Sequence, residues 1–215
     1  LPTAPFLDPA LQPWSARLVE AFAAIREEAA SLLVARQGLE DFIQVKRADE
    51  IGNYLGGANP SWEAHFFYRH GQRYEASHAR CPVTSAMLES IDLARIPGQT
   101  PEICFSFLAP QTTILPHYGV TNARTVMHLP LLVPNDCALH LVDRGVHHWR
   151  EGQLVMFDDT FLHEAWNRSN APRVILLMDC WNPHLTPPER KAVTRLCQSI
   201  AIFDVGSSLE PWSAA

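Results

Sequence analysis

Apolar residues recur at three- and four-residue spacing over positions 14–36, "WSARLVEAFAAIREEAASLLVAR", at Leu18, Phe22, Ile25, Ala29, Leu32 and Leu33. Charged residues stand between them, so this stretch predicts an amphipathic helix. "ADEIGNYLGGANPSW" reads as loop, with Gly, Asn and Pro closely spaced, and a short helix is expected around 83–92. From about residue 102 the pattern changes to short apolar runs broken by turns. Strands are expected near 102–108, 124–133, 137–142, 153–158, 162–167 and 173–180, with "VDRG" and "REGQ" supplying turn chemistry. "LTPPERKAVTRLCQSIAIF" then predicts a C-terminal helix, with Thr186 as N-cap, Pro187 in the first turn and Glu189 completing a capping box. Short strands at this spacing suggest a mainly β protein with a double-sheet core, the jelly roll or double-stranded β-helix of cupin-like folds. The expected plan is one domain over 1–215: a mostly helical flank and pocket lid at 1–100, a jelly-roll core at 101–182, and a C-terminal helix and tail at 183–215.

Composition narrows the function more than the fold. The chain of 215 residues is long enough to bury a full core, and 47% apolar with 19% charged residues is ordinary for a globular protein. A formal charge of −6 without any Lys/Arg cluster argues against nucleic acid or an anionic membrane surface as the main partner. No apolar run approaches the ~18 residues of a membrane span. The first residues, "LPTAPFLDPA", lack the basic segment and apolar stretch of a secretory signal; they also lack an initiating Met, consistent with a trimmed upstream segment. Five scattered cysteines with no C-x-x-C pair suggest reduced thiols and a cytoplasmic compartment. Asn167-Arg168-Ser169 matches a glycosylation acceptor, a pattern that recurs by chance.

Ten histidines invite over-reading. His65 and His70 share neither a helix face nor a strand face, and His147-His148 would point to opposite sides of a strand. His78, His140 and His184 have no second ligand type in pattern with them, so all of these read as surface or satisfied core. "HEAWN" at 163–167 begins like a zinc-protease helix, but position 167 is Asn where a second His is required. His117 and His163 remain. They lie at the edges of different strands, the layout of jelly-roll iron oxygenases in which two histidines and usually one carboxylate occupy one face of Fe(II). Two histidines in a β protein are also commonly structural. Arg173 weighs for the metal reading: an Arg buried at the head of a strand needs an anion, such as the far carboxylate of a dicarboxylate cosubstrate. Ser106 could add a hydrogen bond. Period-two alternation gives two face groupings, Arg124 with His128 and Cys104 with Ser106, and a third running from Arg173 through Ile175 and Leu177 to Asp179. Lining one wet cavity accounts for Ser106, Arg124, His128 and Arg173 together; an outward-facing row would make them ordinary surface.

"PHYGVTNARTVMHLPL", "WREGQLVMFDDTFLHEAWNRS", "RVILLMDCWNP" and "LTPPERK" together resemble the aspartyl/asparaginyl β-hydroxylase family of Fe(II)- and 2-oxoglutarate-dependent oxygenases, strongly over 100–190, with "SWEAHFFYRHGQR" agreeing more loosely. The resemblance implies iron held by His117 and His163 without a protein carboxylate, Gly119 standing at the carboxylate position as a vacancy for water, oxygen or substrate. It implies Arg173 and Ser106 on the distal carboxylate of 2-oxoglutarate, His128 near its metal-binding end, Trp62 closing the pocket, and turn or supporting duty for Asp158 and Asp159. O2 would be the oxidant, and hydroxylation of an unactivated C–H the outcome. One departure stands out. Members acting on aspartyl residues carry Arg-x-Arg-x-His after the first ligand, whereas this chain has Arg124-Thr125-Val126-Met127-His128. Losing a carboxylate-binding Arg weakens the case for an anionic substrate, unless Arg124 compensates. The β-carbon of an aspartyl or asparaginyl residue, a free or carrier-bound amino acid and a peptide precursor all remain open. A halogenase using the vacancy for chloride, and a non-catalytic cupin-like metal-binding module, are the rival readings.

Overall fold

The computed structural model describes residues 4–96 and 98–206. The expected tail beyond 206 lies outside the described residues. In chain order the elements are β1 (Phe6–Leu7), α1 (Ser15–Glu20), α2 (Phe22–Ala35), β2 (Glu40–Asp41), β3 (Leu55–Gly56), β4 (Trp62–Arg69), β5 (Gln72–Arg73), α3 (Glu75–Arg80) and α4 (Pro82–Glu89). There follow β6 (Ile103–Leu108), β7 (Thr112–His117), β8 (Arg124–Leu132), β9 (Cys137–Leu141), β10 (Gly145–His148), β11 (Val155–Phe157), β12 (His163–Asn167), β13 (Arg173–Trp181) and α5 (Pro187–Gly206).

The strands form two antiparallel sheets. The larger runs β1-β11-β8-β13-β6-β4-β2 with β5 beside β4, and the smaller runs β10-β9-β12-β7-β3. This is the jelly roll the strand pattern suggested. Alternation sorts the two cores. On β13, Val174, Leu176, Met178 and Cys180 pack with Leu18, Ile25, Ala29 and Leu32 of α1 and α2, covering the outer face of the larger sheet. Arg173, Ile175, Leu177 and Asp179 face the space between the sheets. Each fully buried aliphatic or aromatic side chain contributes roughly 1.5–3 kcal/mol. On β13 the interior row is half polar, while Trp62, Leu108, Ile114, Leu139 and Phe157 from other strands supply apolar packing between the sheets.

The structure departs from the sequence-based outline in several places. The single helix expected over 14–36 is interrupted at Ala21, and the short one expected at 83–92 spans 82–89. The helical flank also contributes β4, an eight-residue strand beside β6 in the larger sheet. Five consecutive residues of β4, Ala64 to Tyr68, are buried, which erases the alternation that marks a half-exposed strand. Strands β7 and β10 were also not anticipated. Pro116 argues against a strand, yet β3 pairs with β7 only at Thr113 and Ile114, so the proline sits beyond that ladder. The C-terminal cap is as expected: the Glu189 carboxylate accepts from the Thr186 backbone N–H at 2.8 Å and from its hydroxyl at 2.6 Å.

Candidate active site

His117 ends β7 and His163 opens β12; the two are direct register partners in the smaller sheet. Their rings lie 4.1 Å apart between centroids, tilted by 53°. Each Nδ1 sits against a backbone carbonyl two residues earlier, His117 on Leu115 at 2.8 Å and His163 on Phe161 at 2.9 Å. A carbonyl only accepts, so both Nδ1 atoms carry a proton, which leaves Nε2 of each ring as the nitrogen for a metal. Burial, with His117 adding to it, lowers the pKa of His163 and keeps that ring neutral. Two imidazoles on adjacent strands, each with Nδ1 held on a carbonyl, are a donor set for a divalent metal. Among the described residues no group of three or more His, Cys, Asp or Glu is arranged around one ion, so the protein offers two ligands.

Position 119 has no room for a side chain. A side chain at Gly119 would land on the carboxylate of Asp159, and Gly119 N–H donates to the Asp159 carbonyl at 2.6 Å. Asp159, from the loop before β12, takes the space a side chain at 119 would need, and it does not join the two histidines as a third ligand. Its Oδ1 is buried without a hydrogen-bond partner. Its Oδ2 pairs with Arg124 at 2.8 Å, and Arg124 also lies 3.3 Å from Asp179. Burial opposes the Arg124 charge, but Asp179 and Asp159 more than offset it and raise its pKa. Arg124 therefore lines the cavity, as alternation indicated, but its guanidinium is committed to two carboxylates. Both contacts run through the same guanidinium nitrogen. Asp158 has turn duty, accepting from Thr160 N–H at 2.9 Å and from its hydroxyl at 2.6 Å.

At the other end of the same cavity, Arg173 is 1% exposed with its Nε unpartnered. Its guanidinium lies 5.0 Å over the Trp149 ring and donates to Ser106 Oγ at 3.3 Å. Trp62 Nε1 donates to the same Oγ at 2.8 Å. Ser106 thus accepts twice, leaving its own proton free to donate. Burial pulls Arg173 down to about 10, with no carboxylate opposing the shift, so it stays charged at neutral pH and uncompensated. A buried, unanswered guanidinium is costly unless an anion completes it, and its planar fork suits a carboxylate. Trp62 belongs to this seat rather than to a closing lid. His128 packs against Trp149 and Phe157, and Phe157 against His163, linking the two ends. Burial holds His128 well below its usual pKa, with Arg173 adding to the effect, so it is neutral; its Nδ1 is unpartnered.

All seven residues singled out from the sequence, Trp62, Ser106, His117, Arg124, His128, His163 and Arg173, line one cavity of about 820 Å³. Residues 19–183 match the family model described as aspartyl/asparaginyl beta-hydroxylase. The chain belongs to that family. A relative from Rhizobium tropici, an ornithine lipid ester-linked acyl 2-hydroxylase, is 31% identical over 201 residues, covering 93% of this chain and 67% of that one. The human aspartyl/asparaginyl beta-hydroxylase is 33% identical over 137 residues, 61% of this chain but 17% of the human protein, so this chain spans about a sixth of that relative's length. Among solved structures, a 2OG-Fe(II) oxygenase-family oxidoreductase from Burkholderia pseudomallei aligns over 72% of this chain and 89% of its own, at 14% identity and a TM-score of 0.40.

Two further site residues were not singled out from the sequence. Trp149, under the Arg173 fork, carries no local signal, since nothing in "HHWREG" distinguishes it from a core aromatic. Asp179 was visible as the last member of the β13 row, but its role depends on Arg124 arriving from β8. Burial raises the Asp179 carboxyl to about 6, with Arg124 pulling the other way. A raised folded-state value means the folded protein takes up this proton first. The contribution to stability is complete below the unfolded carboxyl range and is lost as pH rises through about 6. Asp179→Asn is expected to flatten the fall in unfolding free energy between about pH 4 and 6, measured by urea titration at several pH values; an unchanged slope counts against a protonated Asp179.

Proposed function

We propose that the chain is an Fe(II)- and 2-oxoglutarate-dependent dioxygenase that uses O2 to hydroxylate an unactivated C–H. The observation that carries this reading is the buried guanidinium of Arg173, unanswered by any carboxylate, in the same cavity as two metal-ready imidazoles. His117 and His163 would hold the iron through Nε2. Arg173, Ser106 and Trp62 would seat the distal carboxylate of 2-oxoglutarate, and neutral His128 would face its chelating end. With these groups bound, the cofactors supply the oxidation, turning 2-oxoglutarate into succinate and CO2. The residues bind and orient; a misplacement of ~1 Å costs ~100-fold in rate. Substrates compatible with the family are an aspartyl or asparaginyl residue, another amino-acid or peptide unit, or a carrier-bound small molecule. The free thiols suit a cytoplasmic location.

The halogenase alternative is disfavoured because the space beside Gly119 already holds the Asp159 carboxylate, which repels a halide. A non-catalytic metal-binding module leaves Arg173 charged and buried without use. The deciding experiment incubates the purified protein with Fe(II), O2 and 2-oxoglutarate and follows succinate. Formation that disappears in His117→Ala and His163→Ala supports the proposal; none above the protein-free control favours the binding module. Ser106→Ala is expected to weaken 2-oxoglutarate binding about tenfold, in line with loss of one charge-assisted seat. Titration calorimetry checks this, and equal affinity would remove Ser106 from the seat.

A further inference from the structure

The cavity carries opposite charge at its two ends. On β6 and the residue before it, Ser106 and Glu102 both line the interior, four residues and ~13 Å apart along the strand. On β13, Arg173 and Asp179 do the same, six residues apart. Ser106 and Arg173 mark the inner end, Glu102 and Asp179 the outer. There the Asp179 N–H donates to the Glu102 carbonyl at 3.1 Å, and the Glu102 N–H to Asp179 Oδ2 at 2.8 Å. Asp159 joins them through Arg124, so three carboxylates meet one guanidinium. Arg124 pairs with Asp159 and Asp179, which leaves Glu102 without an ion pair to any Lys or Arg among the described residues. The Glu102 side chain is 22% exposed, and His70 Nδ1 stands 3.9 Å from its carboxylate, too far to donate a hydrogen bond. Asp159, only 6% exposed, keeps one carboxylate oxygen without a donor. Burial is the main cause that lifts the Asp179 pKa, and the charges of Glu102 and Asp159 add to it. Crowded carboxylates with unsatisfied oxygens are a costly arrangement that a positively charged N–H group relieves. The wall around them is mixed, polar at His70, Gln99 and Thr121 and apolar at Val193, Cys197 and Ile200 of α5. Such a wall suits an alkyl stem that ends in a charged head.

We propose that the outer end of the cavity is a subsite for a positively charged nitrogen of the substrate, an ammonium or guanidinium group, and that Glu102 is the residue that selects it. This rests on the dioxygenase reading for the substrate's fate, not for the binding of the cation. Under that reading the inner end is taken by the 2-oxoglutarate dianion, and the two charged ends sort the two ligands. The carbon attacked lies between Glu102 and the imidazole pair. An aspartyl side chain would instead bring a fourth carboxylate to the three, which like-charge repulsion and desolvation both oppose. Val126, opposite Asp179 in the β8–β13 register, adds no charge to offset it.

The test has two arms, both on the full chain. In the first, titration calorimetry without iron or 2-oxoglutarate compares N-acetyl-lysine amide, N-acetyl-arginine amide and N-acetyl-norleucine amide, the last being the lysine probe without its charged nitrogen. The better of the two cationic probes is expected to bind about tenfold tighter than the neutral one, the worth of a charge-assisted hydrogen bond. Which of the two binds tighter tells ammonium from guanidinium. Glu102→Gln, which keeps the size of the side chain, is expected to remove the preference, and Glu102→Asp to retain part of it; a thermal melt checks that each variant is folded. Equal affinity for charged and neutral probes in the parent protein, or a preference unchanged in folded Glu102→Gln, overturns the proposal. In the second arm, succinate formation with Fe(II), O2 and saturating 2-oxoglutarate is compared after adding each of these probes or N-acetyl-aspartate amide. Greater stimulation by a cationic probe, with one oxygen atom gained in its mass, supports the assignment; greater stimulation by the aspartate or norleucine probe overturns it. Where no probe changes succinate formation, the first arm decides. A cation preference that Glu102→Gln removes, with no succinate under any condition, leaves the subsite standing and sinks the dioxygenase reading instead.

Discussion

Arg173→Leu is expected to abolish cosubstrate binding while leaving the empty protein as stable as before, or more so. Truncating one partner of a buried charged pair costs about 2–5 kcal/mol, so 2-oxoglutarate affinity should fall between ~30-fold and several thousand-fold. The empty protein loses nothing comparable. Its guanidinium is buried and charged with no carboxylate to answer it, holding only a 3.3 Å contact to Ser106 and the Trp149 face. Replacing such a charge with a packed aliphatic group is commonly neutral or stabilising by about 1–4 kcal/mol. For a chain of this size each kcal/mol raises Tm by roughly 2–4 °C. Calorimetric titration and a thermal melt on the same samples check both halves. A variant that melts well below the parent would show that Arg173 is a structural residue and that no anion is needed to complete it. Arg173→Lys keeps the charge but loses the two-pronged fork, and should fall between the two.

Gly119→Asp is expected to damage the fold and the reaction together. Had the position been an open ligand site, a carboxylate there would add a third metal ligand and spare stability. The structure gives a different outcome, because the new side chain meets the Asp159 carboxylate. Overpacking of this kind costs about 1–3 kcal/mol, and two carboxylates crowded together add repulsion. Turnover should drop on the order of 100-fold through displacement of the adjacent His117. The double variant Gly119→Asp/Asp159→Gly moves the carboxylate from one loop to the other and should recover most of the lost stability, since one carboxylate again occupies the space near Arg124. Chemical denaturation compares the three proteins; a single variant as stable as the parent, or a double variant no better than the single, would mean that the two positions do not share that space.

Some of the site was readable from local pattern alone. Ser106, His128 and Arg173 were grouped because strand residues two apart share a face, and a polar residue repeatedly placed on an otherwise apolar face has to be accounted for. His117 and His163 were separated from seven other histidines because those lacked either a shared face or a second ligand type. The surroundings of Gly119 and the ion pairs of Arg124 were not readable, for one common reason. Both depend on Asp159, whose position follows from the loop before β12 folding back over β7. Nothing within a few residues of Gly119 or Arg124 in the chain signals that approach. Missing β7 had a similar origin, since Pro116 lies where β3 stops short on one side and the β12 ladder shifts register on the other.

The chain by itself determined the alternation, the capped C-terminal helix and the set of side chains that needed a cavity, because these follow from repeats of two and 3.6 residues and from the cost of burying charge. Only the tertiary structure decided that His117 meets His163 across a ladder, that a carboxylate from a third segment fills the space at Gly119, that Arg124 is spent on two acids, and that α5 walls the outer cavity. Those facts are set by which strands pair and how the loops between them return, and such contacts join residues far apart in sequence whose identities carry no record of each other.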